Sequence, residues 1–102
     1  MPAYIVSDVT FRDSSAVEVY RTRAAASIAR HGGRYLVRGG TIEVLEGQWT
    51  PRAIVIVEFA NMDAARAWYH SPEYAAALEV RDEALTRKLI LVEGVRPPVQ
   101  SD

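Results

Sequence analysis

The apolar residues of this chain gather in four strand-sized runs, with segments of helical spacing between them. Ala3 to Thr10 (AYIVSDVT) is rich in β-branched and aromatic residues and reads as a strand. Asp13-Ser14-Ser15 then offers N-cap oxygens. Ser15 and Glu18 have the spacing of a capping box, in which a hydroxyl and a carboxylate each satisfy an unpaired amide of a first helical turn. Val17, Tyr20, Ala24, Ile28 and His31 fall along one face of the helix that follows, and Gly32-Gly33 supplies its left-handed C-cap. Arg34 to Glu46 (RYLVRGGTIEVLE) reads as a second strand with a bulge at Gly39-Gly40. Gly47 to Arg52 makes a turn, and Ala53 to Phe59 (AIVIVEF) returns as the third strand of a hairpin. Asn61 and Asp63 open a short helix carrying Trp68 and Tyr69. Ser71-Pro72-Glu73 breaks it and starts another, with Ser at the N-cap, Pro at the first helical position and Glu near the positive helix end. That helix is predicted to run to about Arg87, and Lys88 to Val95 (KLILVEGV) to form the last strand.

The order β-α-β-β-α-β is the ferredoxin-like arrangement of an α+β domain. It predicts a four-stranded sheet, antiparallel overall, with the helices on one face and the first and third strands as parallel central neighbours. Residues 1–96 are expected to form one domain, with a loose tail over 97–102 opened by Pro97-Pro98.

A sheet with one wet face alternates apolar and polar residues. The third strand does not. Ile54 and Ile56 face one way, and Val55, Val57 and Phe59 the other. The last strand offers Leu89 and Leu91 against Ile90 and Val92. Helices cover only one of these faces, and burying each large aliphatic on the other is worth about 1.5–3 kcal/mol. A homodimer through the sheet face opposite the helices is the expected cover.

Composition narrows the classes further. The chain has 102 residues, 49% apolar and 25% charged, a mix that excludes intrinsic disorder. Its longest apolar run, Ala53 to Val57, is far short of the roughly 20 residues of a membrane helix, so no membrane partner is expected. The net charge is −1 and the basic and acidic residues are interleaved, so no nucleic-acid partner is expected either. There are no cysteines, which removes disulfides and thiolate chemistry. MPAYIVSD lacks the pattern of a signal peptide, and a cytoplasmic location is the expectation.

Several side chains are candidates for chemistry. Arg38 and Glu58 sit in predicted strands that the hairpin folds together, as a register-fixing ion pair or as ligand contacts. Asp8 shares the pattern of Glu58, and parallel central strands would bring the two carboxylates to one end of the sheet, where mutual repulsion suits acid-base work. Arg81 interrupts the apolar stripe of Tyr74, Leu78 and Leu85 and could hold a carboxylate or phosphate, or snorkel at the edge of that stripe. His31 ends the first helix, where its role is proton transfer or capping. With two histidines at unmatched spacing and no cysteine, neither a metal nor a cofactor is expected. Tyr20, Trp68 and Tyr74 are placed at a pocket mouth, because a tyrosine packed on a sheet needs a partner for its hydroxyl.

The runs GGRYLVRGGTIEVLEG and IVIVEF and the helix start ARAWYHSPEY resemble the family called domain of unknown function 1330, from Tyr4 to about Gly94. That family belongs to the dimeric α/β-barrel superfamily. The resemblance implies a ferredoxin-like fold and a homodimer whose two sheets form a barrel. It implies no activity, and the superfamily spans cofactor-free monooxygenases, small-ring isomerases, haem enzymes and ligand-binding regulatory domains. The expected function is binding of a small anionic or aromatic organic molecule by Tyr20, Arg38, Trp68, Tyr74 and Arg81. A cofactor-free isomerase- or monooxygenase-like reaction would use Glu58, Asp8 or His31 as proton carrier. The alternative is a non-catalytic binding or interaction module.

Overall fold

Every second residue from Ala3 to Val9 is buried, and this strand, β1 (Ala3–Phe11), is central to the sheet. The computed structural model describes residues 1–96. The tail expected over 97–102 lies outside them. After β1 come α1 (Ala16–Arg30), β2 (Arg34–Arg38), β3 (Ala53–Phe59), α2 (Met62–Tyr69), α3 (Pro72–Leu78), the single turn α4 (Arg81–Ala84) and β4 (Leu85–Glu93). The sheet order is β2-β3-β1-β4. The helices pack on one face, where Ile5, Val9, Val57, Phe59 and Leu85 meet Tyr20, Ile28, Trp68, Tyr74 and Ala77 in one apolar core. This is the ferredoxin-like α+β architecture expected from the order of elements.

All three strand pairings are antiparallel, including β1 with β3. The expectation of parallel central strands is therefore corrected. α1 returns the chain so that β2 runs with β1, and the hairpin then reverses β3 against both. The register puts Asp8 opposite Ile54 and Glu58 opposite Tyr4. Four residues of strand, about 13 Å, separate the two carboxylates.

The second strand is shorter than its pattern suggests. β2 ends at Arg38, and Gly39 takes a left-handed φ of 73° while its amide still donates to the Ile54 carbonyl at 2.9 Å. That turn carries the chain off the sheet, so 40–52 is an exposed loop rather than strand. The irregularity in the ladder falls between Tyr35 and Val37, not at Gly39-Gly40. The irregularity also resets the partners. Arg34 lies opposite Glu58 and donates from Nε to Oε1 at 2.8 Å, while Arg38 lies opposite Val55. The expected Arg38–Glu58 pairing is replaced by Arg34–Glu58.

The helix ends follow their signals closely, with two exceptions. Asn61 and Ser71 cap α2 and α3, accepting from the amides of Ala64 and Tyr74, and Pro72 stands at the start of α3. At the end of α1, Gly32 adopts a φ of 74° and the amide of Gly33 reaches the carbonyl of Ile28 at 2.9 Å, closing the helix in a Schellman turn. At the start of α1, Ser15 makes no side-chain cap, and the Ser14 hydroxyl accepts from Ala16 instead. The last helix does not reach Arg87: α3 stops at Leu78, and by Leu85 the chain is already strand.

The tightest approach between layers is at Gly33. A Cβ there would stand 2.7 Å from the Phe59 ring and 2.9 Å from Ile28 Cγ2. Gly33→Ala should therefore lower stability by about 1–3 kcal/mol, since a packed core yields little. Gly40→Ala, with open space around it, should stay within about 0.5 kcal/mol of wild type. Urea unfolding of both variants checks the contrast.

Candidate functional site

Between Leu85 and Leu91, β4 contributes one charged residue to the helix-facing side of the sheet. Leu85, Arg87, Leu89 and Leu91 alternate with Thr86, Lys88, Ile90 and Val92, and Leu85, Leu89 and Leu91 pack on or against the core. Arg87 thus enters an apolar layer, where an unpaired cation is costly. Two phenols meet it. Its Nη1 donates to the Tyr20 hydroxyl at 2.6 Å, its Nη2 donates to the Tyr74 hydroxyl, and the two hydroxyls lie 2.9 Å apart. One buried cluster therefore ties α1, α3 and β4 together. Burial disfavours the Arg87 cation, but the facing phenol oxygens outweigh that and its pKa lies above the ordinary arginine value. Burial, reinforced by Tyr74, pushes the Tyr20 phenol well up against the opposing pull of Arg87, so it holds its proton throughout the physiological range.

Beside this cluster a cleft of about 810 Å³ opens between α1 and the sheet. Buried Ile5, Val9, Ile28, Val57 and Trp68 line its depth, and exposed Glu18, Arg21 and Arg38 stand on its lining where it meets solvent. Trp68 is held rigidly: its indole N–H donates to the Ser27 hydroxyl at 2.9 Å, which in turn donates to the Ala24 carbonyl at 2.7 Å. Its ring centre lies 4.1 Å from that of Tyr74 and 5.5 Å from that of Phe59. The Arg38 guanidinium lies over the Tyr35 ring, 4.3 Å from its centre. Burial raises the Tyr35 phenol, with Arg38 opposing. The cleft is thus apolar and aromatic in its walls, with the cations Arg21, Arg38 and Arg87 and the protonated phenols of Tyr20 and Tyr35 among its polar points.

Of the residues expected at a pocket, Tyr20, Arg38 and Trp68 line this cleft, and Tyr74 touches it through Tyr20. Arg81 does not: it sits on α4, bonds Asp82 at 3.3 Å and faces a separate surface hollow with Arg12 and Tyr69. The early end of α3 moved it off the stripe it would have occupied in a longer helix. His31 lies outside the cleft with its Nε2 3.3 Å from Glu73 Oε1, pinning the end of α1 to the start of α3. Glu58 and Asp8 stand on the opposite face of the sheet, and Asp8 accepts from the Trp49 indole and the Arg52 amide, anchoring the long loop. Among the described residues, no three His, Asp or Glu side chains gather where they could hold a metal ion. Arg87 was missed because it was assigned to the helix. The period-two run Leu85, Arg87, Leu89, Leu91 was the signal that would have placed it on the core side of a strand.

Comparison with known proteins agrees with the fold. The family model described as Domain of unknown function (DUF1330) matches residues 2–95. Among curated proteins there is no match. A protein of unknown function from Rhodopseudomonas palustris superposes with a TM-score of 0.74 at 20% identity, over 94% of this chain and 84% of its own. SnoaB, a cofactor-independent oxygenase from Streptomyces nogalater, superposes with a TM-score of 0.63 at 17% identity, over 97% of this chain and 98% of its own.

The raised Tyr20 phenol has a consequence for stability. The unfolded chain releases this proton near the ordinary value of 10.0, whereas the folded chain retains it. The contribution is fully present below that pH and is lost as pH rises through the folded pKa. The melting temperature of wild type should therefore fall more steeply above pH 10 than that of Tyr20→Phe. Equal alkaline slopes would show that Tyr20 titrates as an ordinary phenol.

Proposed function

The chain belongs to the DUF1330 family, and we propose that it binds a small, planar, largely apolar organic molecule in the cleft between α1 and the sheet. The observation that carries this reading is the cleft itself: aromatic and aliphatic walls with a few convergent polar groups, the ordinary make-up of a small-molecule site. Tyr20, Arg38 and Trp68 are the contacts it uses, with Arg87 beside Tyr20 on the lining and Tyr74 behind it. Aromatic ligands suit the walls, and Arg38 favours a partial or full negative charge near the opening.

An enzymatic role without a cofactor is supported by the likeness in fold to a cofactor-independent oxygenase. Glu58, Asp8 and His31, the expected proton carriers, do not line this cleft, and the proposed reaction gives them no part in it. Glu18 is at its rim, exposed and paired with Arg21 at 3.2 Å. Chemistry here would rest on polarising a bound oxygen through Tyr20 and Arg87 rather than on a carboxylate base.

We also propose that the protein, a single domain over 1–96, acts in the cytoplasm as a homodimer through the sheet face that carries no helices. Among the described residues, no helix is long and apolar enough to cross a membrane. On the uncovered face Ile90 is 58% and Val92 43% exposed, beside Val6, Ile54 and Ile56. Ile42, Val44, Leu45 and Trp49 stand exposed on the adjoining loop.

Two measurements test these readings. Thermal melting with 2-naphthol should show a raised midpoint for wild type and none for Ala24→Phe, which fills the cleft from α1. An unmoved wild type, or an equal shift in the variant, would overturn the binding site. Sedimentation at micromolar concentration should give twice the chain mass of 11.3 kDa, and Ile90→Asp should return the monomer. A wild-type monomer would defeat the dimer.

A further inference from the structure

The hydroxyl protons of the buried cluster can be assigned by accounting. Arg87 donates to both phenol oxygens and accepts from neither. Tyr74 is 0% exposed and does not line the cleft, and among the described residues the Tyr20 oxygen is the one acceptor within reach of its proton. Were Tyr20 to donate to Tyr74, the Tyr74 proton would be buried with nothing to receive it, an arrangement native interiors avoid. Tyr74 therefore donates to Tyr20. The Tyr20 oxygen then accepts twice, from Arg87 and from Tyr74, which leaves its own proton unspent within the cluster, on a residue that lines the cleft.

We infer that Tyr20 is the specificity-determining donor of the cleft and that it selects ligands carrying a carbonyl or comparable acceptor oxygen on an otherwise apolar ring system. The inference rests on the cleft reading above and deepens it by naming the chemical class. Three features support it. The phenol keeps its proton at neutral pH, so it is a donor rather than a base. The Arg87 cation beside it strengthens that donor, because an O–H whose oxygen accepts from a charged group is polarised. A ligand that fills the cleft without an acceptor strands the Tyr20 proton away from water, and sites built around one hydrogen bond reject analogues that lack it.

The test compares two probes of nearly equal shape, 1-tetralone and tetralin, by calorimetry. Wild type should bind the ketone about tenfold more tightly than the hydrocarbon. Tyr20→Phe, checked for folding by circular dichroism, should bind both about equally. Tyr74→Phe removes a donor to Tyr20 but leaves the Tyr20 proton unspent within the cluster, so it should keep the preference for the ketone. This variant decides the matter even if Tyr20→Phe fails to fold: were the Tyr20 proton spent on Tyr74, the preference would be absent in wild type and appear in Tyr74→Phe. Equal binding of the two probes by wild type overturns the role of Tyr20 and leaves the cleft standing as a binding site. Binding of neither probe overturns both.

Discussion

A guanidinium inside an apolar layer organises this protein. Arg87 enters between sheet and helices from β4, and desolvating such a cation costs several kcal/mol unless hydrogen bonds replace its water. The replacements come from elements far apart in the chain, Tyr20 on α1 and Tyr74 on α3. Breaking any one of the three leaves polar groups stranded, so the positions of α1, α3 and β4 relative to one another are held by the same small network. Trp68 stacks beside it on Tyr74 and is itself fixed by Ser27 of α1.

The two faces of the sheet divide the work. The helix side holds the core, the cleft and the Arg87 cluster. The other side holds Asp8, Glu58, Lys88 and a set of aliphatics, and both carboxylates are engaged with neighbours: Glu58 with Arg34, and Asp8 with the loop that carries Trp49. Asp8 and Glu58 are in this way engaged by local structure. The exposed aliphatics are not, and they leave this face suited to another protein surface rather than to water.

Much of the architecture was legible. The caps Asn61 and Ser71, Pro72 at the start of α3 and Gly32 past the end of α1 act over a few residues, and so they read directly from the chain. The apolar character of both faces was equally plain from Ile54 to Phe59. The second strand misled because RGGTIEVLE has strand composition, yet Gly39 turns the backbone away from β3 before that composition can be used. The candidate site was half legible: Tyr20, Trp68 and Arg38 were marked as aromatic or charged residues on structured elements, but Arg87, the partner of Tyr20, was not.

Element order, strand alternation, most helix caps and the apolar character of the second sheet face were determined by the sequence alone, because each depends on local propensity or on a period along the chain. Register and long-range pairing were decided only by the tertiary structure. The irregularity between Tyr35 and Val37 gave Glu58 to Arg34 instead of Arg38, the antiparallel β1–β3 pairing parted Asp8 from Glu58, and the early end of α3 turned Arg87 from a helical residue into a strand residue aimed at two tyrosines. A shift of one residue changes which side chains meet, and nothing local in the chain records it.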